Sequence, residues 1–549
     1  MKIRSLVGAG LGLVVALTLA SAPAGADGGF DPSTPSGGFA QPVETPSAGA
    51  EDEPTAEEAL ATVESIFTPV SGARMRGQAA TGARGTDATM ALRDLWMKRG
   101  ELRGEDAKRA DALLARPVPG QTGDADKRAI NGPITSQCAD GVCLHFTESV
   151  GVGDLNDSAT APDVEATRAT VQSVRTRLIN AGFKTPLPDS AGQHGGTSDL
   201  DVYLMNLRQY GLYGYCAPTE GFVNPNAGDF RASTYCVVDN DFVGFGTEPS
   251  KALQVTVAHE YFHAVQGAYD FGEDRWLVEG SAAWIEDELY DSINDNRMYL
   301  PGSQMKAPWL PLDSYGQNFS VYGSWIFLRY LSEKLQRSGV APLEFMRRVW
   351  ARADSAPTGP DDWSLLAVKR QIDAAPKTFP GGFARTYNQF AAANRVPKKY
   401  YSEGSAYPKA PTVAGRFKKR TKGLKTTSAI DRLDHLTSYT ARLVPHKSYG
   451  KKVRLKIAFN LPAKSANPGV TVRIFKKNGK FSTVWVPLNK KGDATKKFAF
   501  TRKKKIAAIE VTVSNGSTSF YCWTGSILAC QGSPRHDGLR HKMTVTVLR

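Results

Sequence analysis

The stretch from Gln254 to Tyr269 constrains this chain more than any other, because it contains an H-E-x-x-H pattern. His259, Glu260 and His263 form the pattern. Residues four apart lie on one face of an α-helix, so both imidazoles can point at one ion if the stretch is helical. Tetrahedral zinc accepts such a pair, and the glutamate between them is a candidate general base.

Local signals predict that this stretch is a helix. Thr247 can cap it, Pro249 suits its first turn and Gly267 suits its end. An apolar stripe runs behind the two histidines and consists of Leu253, Val257, Phe262 and Val265. An H-E-x-x-H match also arises by chance on an ordinary core helix, so the surrounding sequence has to decide.

The deciding context is the stretch from Arg275 to Asp287, RWLVEGSAAWIED, which is apolar, rich in alanine and expected to be helical. Glu279 in this stretch completes a His-His-Glu site and leaves a fourth zinc position open for water. The rival scheme is a third histidine in H-E-x-x-H-x-x-G-x-x-H. It fails because Gln266 and Tyr269 occupy the Gly and His places.

This combination of motifs resembles the gluzincin zinc metallopeptidases. WLVEGSAAW is similar to the W-x-x-E-G-x-A stretch of their aminopeptidase-type members and of a bacterial secreted group of proposed metalloproteases. The resemblance implies Zn²⁺ as the cofactor, with His259, His263 and Glu279 as its ligands and Glu260 as the general base.

The chain departs from the thermolysin-like members at one position. Those proteins carry an aspartate four residues after the ligand glutamate, where this chain has Ala283. The ligand histidines must therefore be oriented by another group, and Glu286, Asp287 and Asp274 are the candidates.

A third stretch, YGSWIFLRYL from Tyr322 to Leu331, resembles the segment of aminopeptidase-type gluzincins that carries an oxyanion-stabilising tyrosine. By that likeness Tyr322 is the candidate, with Tyr315 in reserve. The aromatic residues of the stretch also suit an ordinary core helix, so both interpretations stay open.

The order of predicted elements before the motif is strand, helix, strand, strand, metal helix, which suits the upper lobe of a zincin-like α+β catalytic domain. The predicted elements are Val142–Phe146, Val164–Ala181 with Asp163 as its cap, Leu200–Leu204 and Tyr235–Val238. We expect Tyr235–Val238 to be the edge strand that lines a substrate cleft. Helices predicted at Leu343–Arg352, Trp363–Ala374 and Phe383–Ala393 suit a helical lower lobe.

The first 26 residues have the pattern of a secretory signal. Lys2 and Arg4 precede an apolar run, and small residues at the end place cleavage after Ala22 or Ala26. Export permits disulfides, and the six cysteines fall into three pairs that are local in sequence. The pairs are Cys138 with Cys143, Cys216 with Cys236, and Cys522 with Cys530. No membrane span is expected once the signal is removed.

Residues 27–120 are predicted to be a flexible linker followed by helices near Ala56–Phe67, Thr89–Lys98 and Glu105–Leu114. The linker, Asp27–Pro54, is rich in Gly, Pro, Ser and Ala and cannot bury a core. The apolar stripes of the helices indicate docking on another part of the chain. An inhibitory propeptide and a plain N-terminal extension both fit this pattern.

The last part of the chain is strongly basic. From Lys409 onward there are 31 Lys and Arg against 5 Asp and Glu, a net charge of +26, which leaves −12 for the first 408 residues of a chain whose net charge is +14. Short alternating runs predict an all-β sandwich of about seven or eight strands. Runs such as Lys503–Lys505 suit polyanions or cell-wall polymers, whereas aromatic positions for sequence-specific nucleic-acid recognition are few.

These patterns predict a signal peptide at 1–26, an extension at 27–120, a zincin-like catalytic domain at 121–400 and a basic β-sandwich at 410–549. The function we expect is a secreted zinc metallopeptidase that hydrolyses proteins or peptides with Glu260 as general base and Tyr322 at the oxyanion. The alternative is a secreted wall- or polyanion-binding protein whose zinc site is structural or idle.

Overall fold

The computed structural model describes residues 52–69, 88–118, 130–148, 157–190, 197–314, 320–416 and 425–548. The predicted signal sequence, all of the predicted linker before residue 52, and Tyr315 lie outside these residues. The described residues form a mixed α/β region, which is followed along the chain by two β-sheets.

Twelve α-helices occur in the described residues. They are α1 Ala56–Ile66, α2 Ala88–Lys98, α3 Gly104–Leu114, α4 Ala161–Asn180, α5 Pro249–Gly267, α6 Arg275–Tyr290, α7 Ser320–Gly323, α8 Trp325–Gln336, α9 Glu344–Arg352, α10 Ser364–Asp373, α11 Gly382–Ala393 and α12 Pro397–Tyr400. The predicted helices are confirmed to within a few residues, except that the predicted Tyr322–Leu331 stretch is divided between α7 and α8. Thr160, not Asp163, is the N-cap of α4, and Asp163 returns the hydrogen bond as the third residue of a capping box.

The first sheet is mixed. Its strands are β1 Thr135–Ala139, β2 Val142–Glu148, β3 Ser158–Ala159, β4 Leu200–Met205, β5 Gly214–Pro218 and β6 Thr234–Asp239. The spatial order is β1-β2-β4-β6-β5, with β3 beside β2. The β2–β4 and β4–β6 pairs are parallel, and both outer pairs are antiparallel.

The predicted edge strand is wrong. Tyr235–Val238 belongs to β6, which lies between β4 and β5, and the edge of the sheet on this side is β5. Gly214–Pro218 is a strand that the sequence does not predict, because this short run contains a glycine and a proline, which are rare in strands. Cys216 pairs with Cys236 across β5 and β6, so the disulfide joins the edge strand to its neighbour.

Both faces of the central strands β4 and β6 are buried, which explains why these strands have few polar residues, whereas β1 is largely exposed. Val202 and Leu204 face a core shared with α4 and α5, while Tyr203 and Met205 face a second core. The second core is completed by apolar residues of the N-terminal helices: Leu60 and Val63 of α1, Leu92 and Leu95 of α2, and Leu114 of α3. The N-terminal helices are therefore a layer of the fold.

The C-terminal region consists mainly of two β-sheets. The strands are β7 Val413–Arg416, β8 Lys425–Leu433, β9 Thr437–Val444, β10 Arg454–Asn460, β11 Pro468–Lys476, β12 Phe481–Trp485, β13 Asp493–Ala499, β14 Ile506–Asn515, β15 Phe520–Tyr521, β16 Ser533–Pro534 and β17 Leu539–Leu548. The sheets have the orders β13-β10-β17-β8 and β12-β11-β14-β9-β7, and all their pairs are antiparallel except β7–β9.

Apolar residues from both sheets meet in one core, the arrangement of a β-sandwich. Leu455 and Val545 come from one sheet, and Val472 and Val511 from the other. The two sheets have nine strands in the described residues, more than the seven or eight predicted. A 3₁₀ turn at Arg502–Lys504 separates β13 from β14.

The sandwich packs directly against the helical region. Asn388 of α11 donates to Ser514 Oγ at 2.9 Å, and Arg395 pairs with the buried Glu510 at 2.8 Å. His435 Nε2 lies 2.8 Å from Asp313 Oδ1, and both residues are buried. These contacts join the basic region to the region that carries the H-E-x-x-H helix.

All three predicted disulfides are confirmed: Cys138–Cys143, Cys216–Cys236 and Cys522–Cys530. This pairing is compatible with an oxidising, extracellular compartment. Across the part of the chain that the structure describes, no helix is sufficiently long and apolar to cross a membrane.

Candidate metal centre

The H-E-x-x-H residues lie in the middle of a buried helix. Helix α5 starts at Pro249, whose missing N–H suits the first position, and its N-cap is Glu248 without a side-chain hydrogen bond. Thr247 is therefore not the cap that the sequence predicts, whereas Gly267 is the last helical residue as expected. Nearly all of α5 is buried between the sheet and the helices that follow.

Helix α6 brings the third predicted ligand to the two histidines. Glu279 Oε2 lies 3.2 Å from His259 Nε2, and Glu279 Oε1 lies 3.3 Å from His263 Nε2. One ligand atom from each of the three residues lies within 4.8 Å of the others. Glu279 and His263 are 0 % and 1 % exposed, and His259 is 9 % exposed.

The three residues fit a zinc ion chemically. Two imidazole nitrogens and one carboxylate are a donor set that zinc binds in catalytic sites. His263 Nε2 and Glu279 Oε1 are buried and have no hydrogen-bond partner among the described residues. Buried polar atoms are rarely left without partners, and coordination to a metal would satisfy both.

The approach of α6 to α7 depends on a glycine beside the ligand. A Cβ at Gly280 would lie 2.0 Å from Ser324 Oγ, which is shorter than any normal contact. Ser324 in turn donates to the backbone carbonyl of Trp276 at 3.1 Å. Gly280 in the E-G-x-A stretch therefore allows the next helical segment to pack close to the helix that carries Glu279.

Each histidine has a partner at its other ring nitrogen. Glu286 Oε1 lies 2.7 Å from His259 Nδ1, and Gln266 Oε1 lies 2.7 Å from His263 Nδ1. A neutral imidazole that donates its Nδ1 proton to one of these oxygens has a lone pair on Nε2. In both histidines that lone pair then faces the site. Gln266 also donates to Val278 O at 2.9 Å, which fixes its own orientation.

The structure selects one of the three carboxylates that the sequence left open. Glu286 is the partner of His259. Asp287 instead pairs with Arg329 at 3.0 Å, and Asp274 accepts hydrogen bonds from Ser364 and from the backbone N–H of Cys530. Gln266 is not among the residues that the sequence predicts to orient a histidine. The signal in the sequence that could have identified it is its spacing of three residues from His263 on the same helix.

Burial determines the protonation of the groups around the site. Burial raises the pKa of Glu260 to about 8, with Glu279 and Glu286 adding to the rise and His259 opposing it. Burial lowers the pKa of His263 to about 4, so this imidazole is neutral near pH 7, as a metal ligand must be. Burial also opposes protonation of His259, but hydrogen bonds to Glu279 and Glu286 outweigh it and raise its pKa.

Glu260 lies between the site and the edge strand β5. A Cβ at Gly214 would lie 2.7 Å from Glu260 Cγ and 3.0 Å from its Oε1. The absence of a side chain at this position therefore makes room for the carboxylate. Glu260 Oε2 is buried without a hydrogen-bond partner among the described residues, so one oxygen remains available to another group.

Helix α2 reaches the same region. The hydroxyl of Thr89 accepts a hydrogen bond from the backbone N–H of Cys216 at 3.1 Å and also bonds to Glu260. Cys216 is on β5, so the N-terminal layer contacts both the sheet edge and the candidate base. The apolar stripes of the N-terminal helices predict that they dock on another part of the chain, and the structure identifies that part as this sheet.

Tyr322 lies next to the candidate ligands. Its ring centroid is 6.0 Å from that of His259, and its ring stacks on Tyr299 at 4.9 Å. Tyr322 is half-buried at the edge of the main core, on the short helix α7. Its position is compatible with the catalytic role suggested by the sequence.

Comparisons with known proteins do not place the chain in a family. No family model matches it, and no curated protein is similar to it. One solved structure that matches is a family GH115 4-O-methyl-alpha-glucuronidase with specificity for decorated arabinogalactans, at 10 % identity. The match covers 67 % of this chain and 53 % of that chain, so the chain spans about half the length of that enzyme. The TM-score is 0.12, which is too low to carry an argument about fold or function.

Proposed function

We propose that this protein is a secreted zinc metallopeptidase of gluzincin type, with proteins or peptides as its substrates. The observation that carries the proposal is the convergence of His259, His263 and Glu279 in a buried site, with ligand atoms within 4.8 Å of one another. The hydrogen bonds that orient both Nδ1 atoms support it further. A core histidine pair without a metal would have no need of a buried glutamate at both Nε2 atoms.

Glu260 supplies what a hydrolase needs beyond metal binding. A purely structural zinc site has four protein ligands and no base beside it. In this chain a carboxylate follows the first histidine directly, and its Oε2 has no hydrogen-bond partner among the described residues. A zincin-like catalytic fold is also consistent with the mixed sheet, the buried helix α5 and the helical region after Tyr322.

The mechanism follows from these positions. Zinc held by His259, His263 and Glu279 would polarise the scissile carbonyl and make water more acidic. Glu260 accepts a proton from the attacking water and then delivers it to the leaving amine. The Tyr322 hydroxyl donates a hydrogen bond to the oxygen on which negative charge develops.

The experiment that tests the proposal combines metal analysis with proteolysis. The purified protein is analysed for zinc by mass spectrometry, and casein hydrolysis is measured before and after chelation. We expect about one zinc per chain and activity that is lost to the chelator and restored by zinc. Glu260→Gln should keep the zinc and the fold but lower the hydrolysis rate by about 10²- to 10⁴-fold.

The matched control is Glu248→Gln, the same chemical change at the exposed start of the same helix. This variant should hydrolyse casein at the normal rate. Equal activity in Glu260→Gln and the unmodified protein would remove the mechanism, and a protein that binds no zinc would remove the ligand assignment.

The alternative function is a wall- or polyanion-binding protein with an idle zinc site. The observation that favours it is the basic C-terminal region, where the Lys503–Lys505 run is exposed on a turn. One zinc per chain without hydrolysis of any member of a mixed peptide library would favour this alternative over the peptidase.

A further inference from the structure

A cavity of about 290 Å³ lies between the helical region and the β-sandwich. Lys334 of α8 and Gln389 of α11 line one side, and Arg473 of β11 and Thr483 of β12 line the other. Tyr400 of α12 completes the wall. The lining runs from the buried Arg473 to the exposed Thr483, so the cavity has a mouth at the surface.

The charged residues that line this cavity are all positive. Lys334, Arg337 and Arg473 all line it, and none of the nine described lining residues is acidic. Two buried carboxylates interact with these cations from outside the lining, Glu333 and Glu510. Glu333 pairs with Arg337, whereas Glu510 is shared with two arginines outside the lining, so Lys334 and Arg473 are the cations that these carboxylates leave unbalanced.

Glu333 and Glu510 each contact two arginines. Glu333 accepts from Arg329 at 3.0 Å as well as from Arg337 at 3.0 Å. Glu510 pairs with Arg395 at 2.8 Å and with Arg442 at 2.5 Å. Arg329 also pairs with Asp287 and Glu288, so Glu333 is left to balance Arg337. The single charge of Glu510 is divided between Arg395 and Arg442, so Arg473 has no carboxylate of its own.

Arg473 is the most buried of the three cations, with 3 % of its surface exposed. One of its terminal nitrogens donates to the backbone carbonyl of Ala392, and its guanidinium lies 4.8 Å from the ring centroid of Tyr400. Its Nε has no hydrogen-bond partner among the described residues. A buried guanidinium that retains an unused donor is suited to a bound acceptor.

Lys334 is the second cation of the lining to be described. Its Nζ donates to Gln389 Oε1 at 3.2 Å, a neutral partner. Burial, together with the nearby positive charges of Arg337 and Arg385, lowers the pKa of Lys334 to about 8. A bound anion would oppose all of these effects, because it would stabilise the charged amine.

We infer that this cavity binds a sugar-sized ligand bearing one carboxylate or phosphate group. A guanidinium and an ammonium directed at one space select such an anion, since guanidinium matches carboxylate and phosphate geometry. The volume is near the lower end of ligand pockets, about 300 Å³, which suits one saccharide unit. The Tyr330 and Tyr400 rings, which lie against Lys334 and Arg473, contribute apolar surface to the lining, and Gln389 and Thr483 contribute polar groups that can bond to hydroxyl groups.

The test uses the full-length protein and calorimetric titration with three probes: glucuronate, glucose 6-phosphate and glucose. We expect both anions to bind with a dissociation constant of about 1 mM or tighter and glucose to bind at least tenfold more weakly. Preference for glucuronate would indicate an acidic polysaccharide as the natural source, and preference for glucose 6-phosphate would indicate a phosphate-linked polymer. Equal binding of glucose and the two anions, or no binding of any probe, would overturn the inference.

Two variants locate the binding site. Lys334→Gln should weaken binding of the anions at least tenfold, and Arg337→Gln, at an exposed position, should weaken it in the same direction. The matched control is Lys369→Gln, which removes a half-exposed lysine on α10 that pairs with Asp373 away from the cavity. Unchanged affinity in both cavity variants would overturn the inference. Glu260→Gln should bind the anions normally, so this result is independent of the peptidase proposal.

Discussion

Glu286 Oε1 lies 2.7 Å from His259 Nδ1, so a carboxylate two helical turns after Glu279 orients the first histidine of the motif. Both carboxylates are on α6 and face α5. One helix therefore contributes a group to each ring nitrogen of His259.

Glu286→Gln should weaken zinc binding by about 10- to 100-fold, because the amide cannot stabilise the oriented imidazole as a carboxylate does. Zinc affinity is measured by competition with a chromogenic chelator. Asp291→Asn, at the exposed end of the same helix, is the matched control and should bind zinc normally. Unchanged zinc affinity in Glu286→Gln would show that the hydrogen bond has no role in metal binding.

Gly214→Ala should lower activity by roughly 10²-fold while the protein keeps its fold and its zinc, because the new methyl group would displace Glu260. The measurements are casein hydrolysis, zinc content and the unfolding temperature of each variant. Gly221→Ala is the control, since a Cβ there has no neighbour within 4 Å. Full activity in Gly214→Ala would mean that the position of Glu260 is not critical.

Tyr322→Phe should lower kcat by about 10²- to 10³-fold with little change in KM, because the lost hydroxyl acts only as charge develops in the transition state. Tyr299→Phe is the control, since Tyr299 stacks on Tyr322 and removing its hydroxyl preserves the aromatic packing. A large loss in Tyr299→Phe with none in Tyr322→Phe would transfer the proposed role to Tyr299.

His435→Gln should destabilise the protein by about 3–5 kcal/mol at pH 6, because it breaks the buried ion pair with Asp313 and a second, partly exposed pair with Asp537. Burial alone would lower the pKa of His435, but the two aspartates outweigh it and raise the pKa to about 10. A raised folded-state pKa gives stability that is complete below the unfolded value of about 6.5 and is lost as the pH rises through about 10.

The free energy of unfolding of both proteins is measured from pH 6 to pH 10.5, and the difference between them should shrink at the upper end. His446→Gln serves as the control, because the contacts of His446 with Ser448 and Tyr449 are local and involve no carboxylate. A difference that is constant over this range would contradict a charged His435 in the folded protein.

Deletion of residues 27–118 should destabilise the protein severely rather than activate it. The helices of this segment cover the sheet face that carries Tyr203 and Tyr215, and Leu92 and Leu95 are fully buried against it. Exposing side chains of this kind costs about 1.5–3 kcal/mol each. The measurements are secreted yield and unfolding temperature. A stable truncated protein with higher peptidase activity would instead identify the segment as a propeptide that inhibits through the Thr89 contact with Glu260.

The sequence predicted what depends on local spacing. The four-residue interval between His259 and His263 brings both to one side of a helix wherever that helix lies, and the structure has this helix at Pro249–Gly267. The three disulfides joined cysteines that are close in sequence. Alternation of apolar residues likewise predicted the strands of the basic region, because neighbouring side chains of a strand face opposite sides.

Tertiary structure decided what depends on contacts between distant segments. Strand order is one example: β5 lies outside β6 through backbone pairing, so no pattern within Gly214–Pro218 or Tyr235–Val238 could identify the edge. The partner of His259 is another, since three carboxylates had suitable positions in sequence and only the packing of α6 on α5 selects Glu286. The cavity around Arg473 exists only where the helical region meets the sandwich, because each part contributes one side of it.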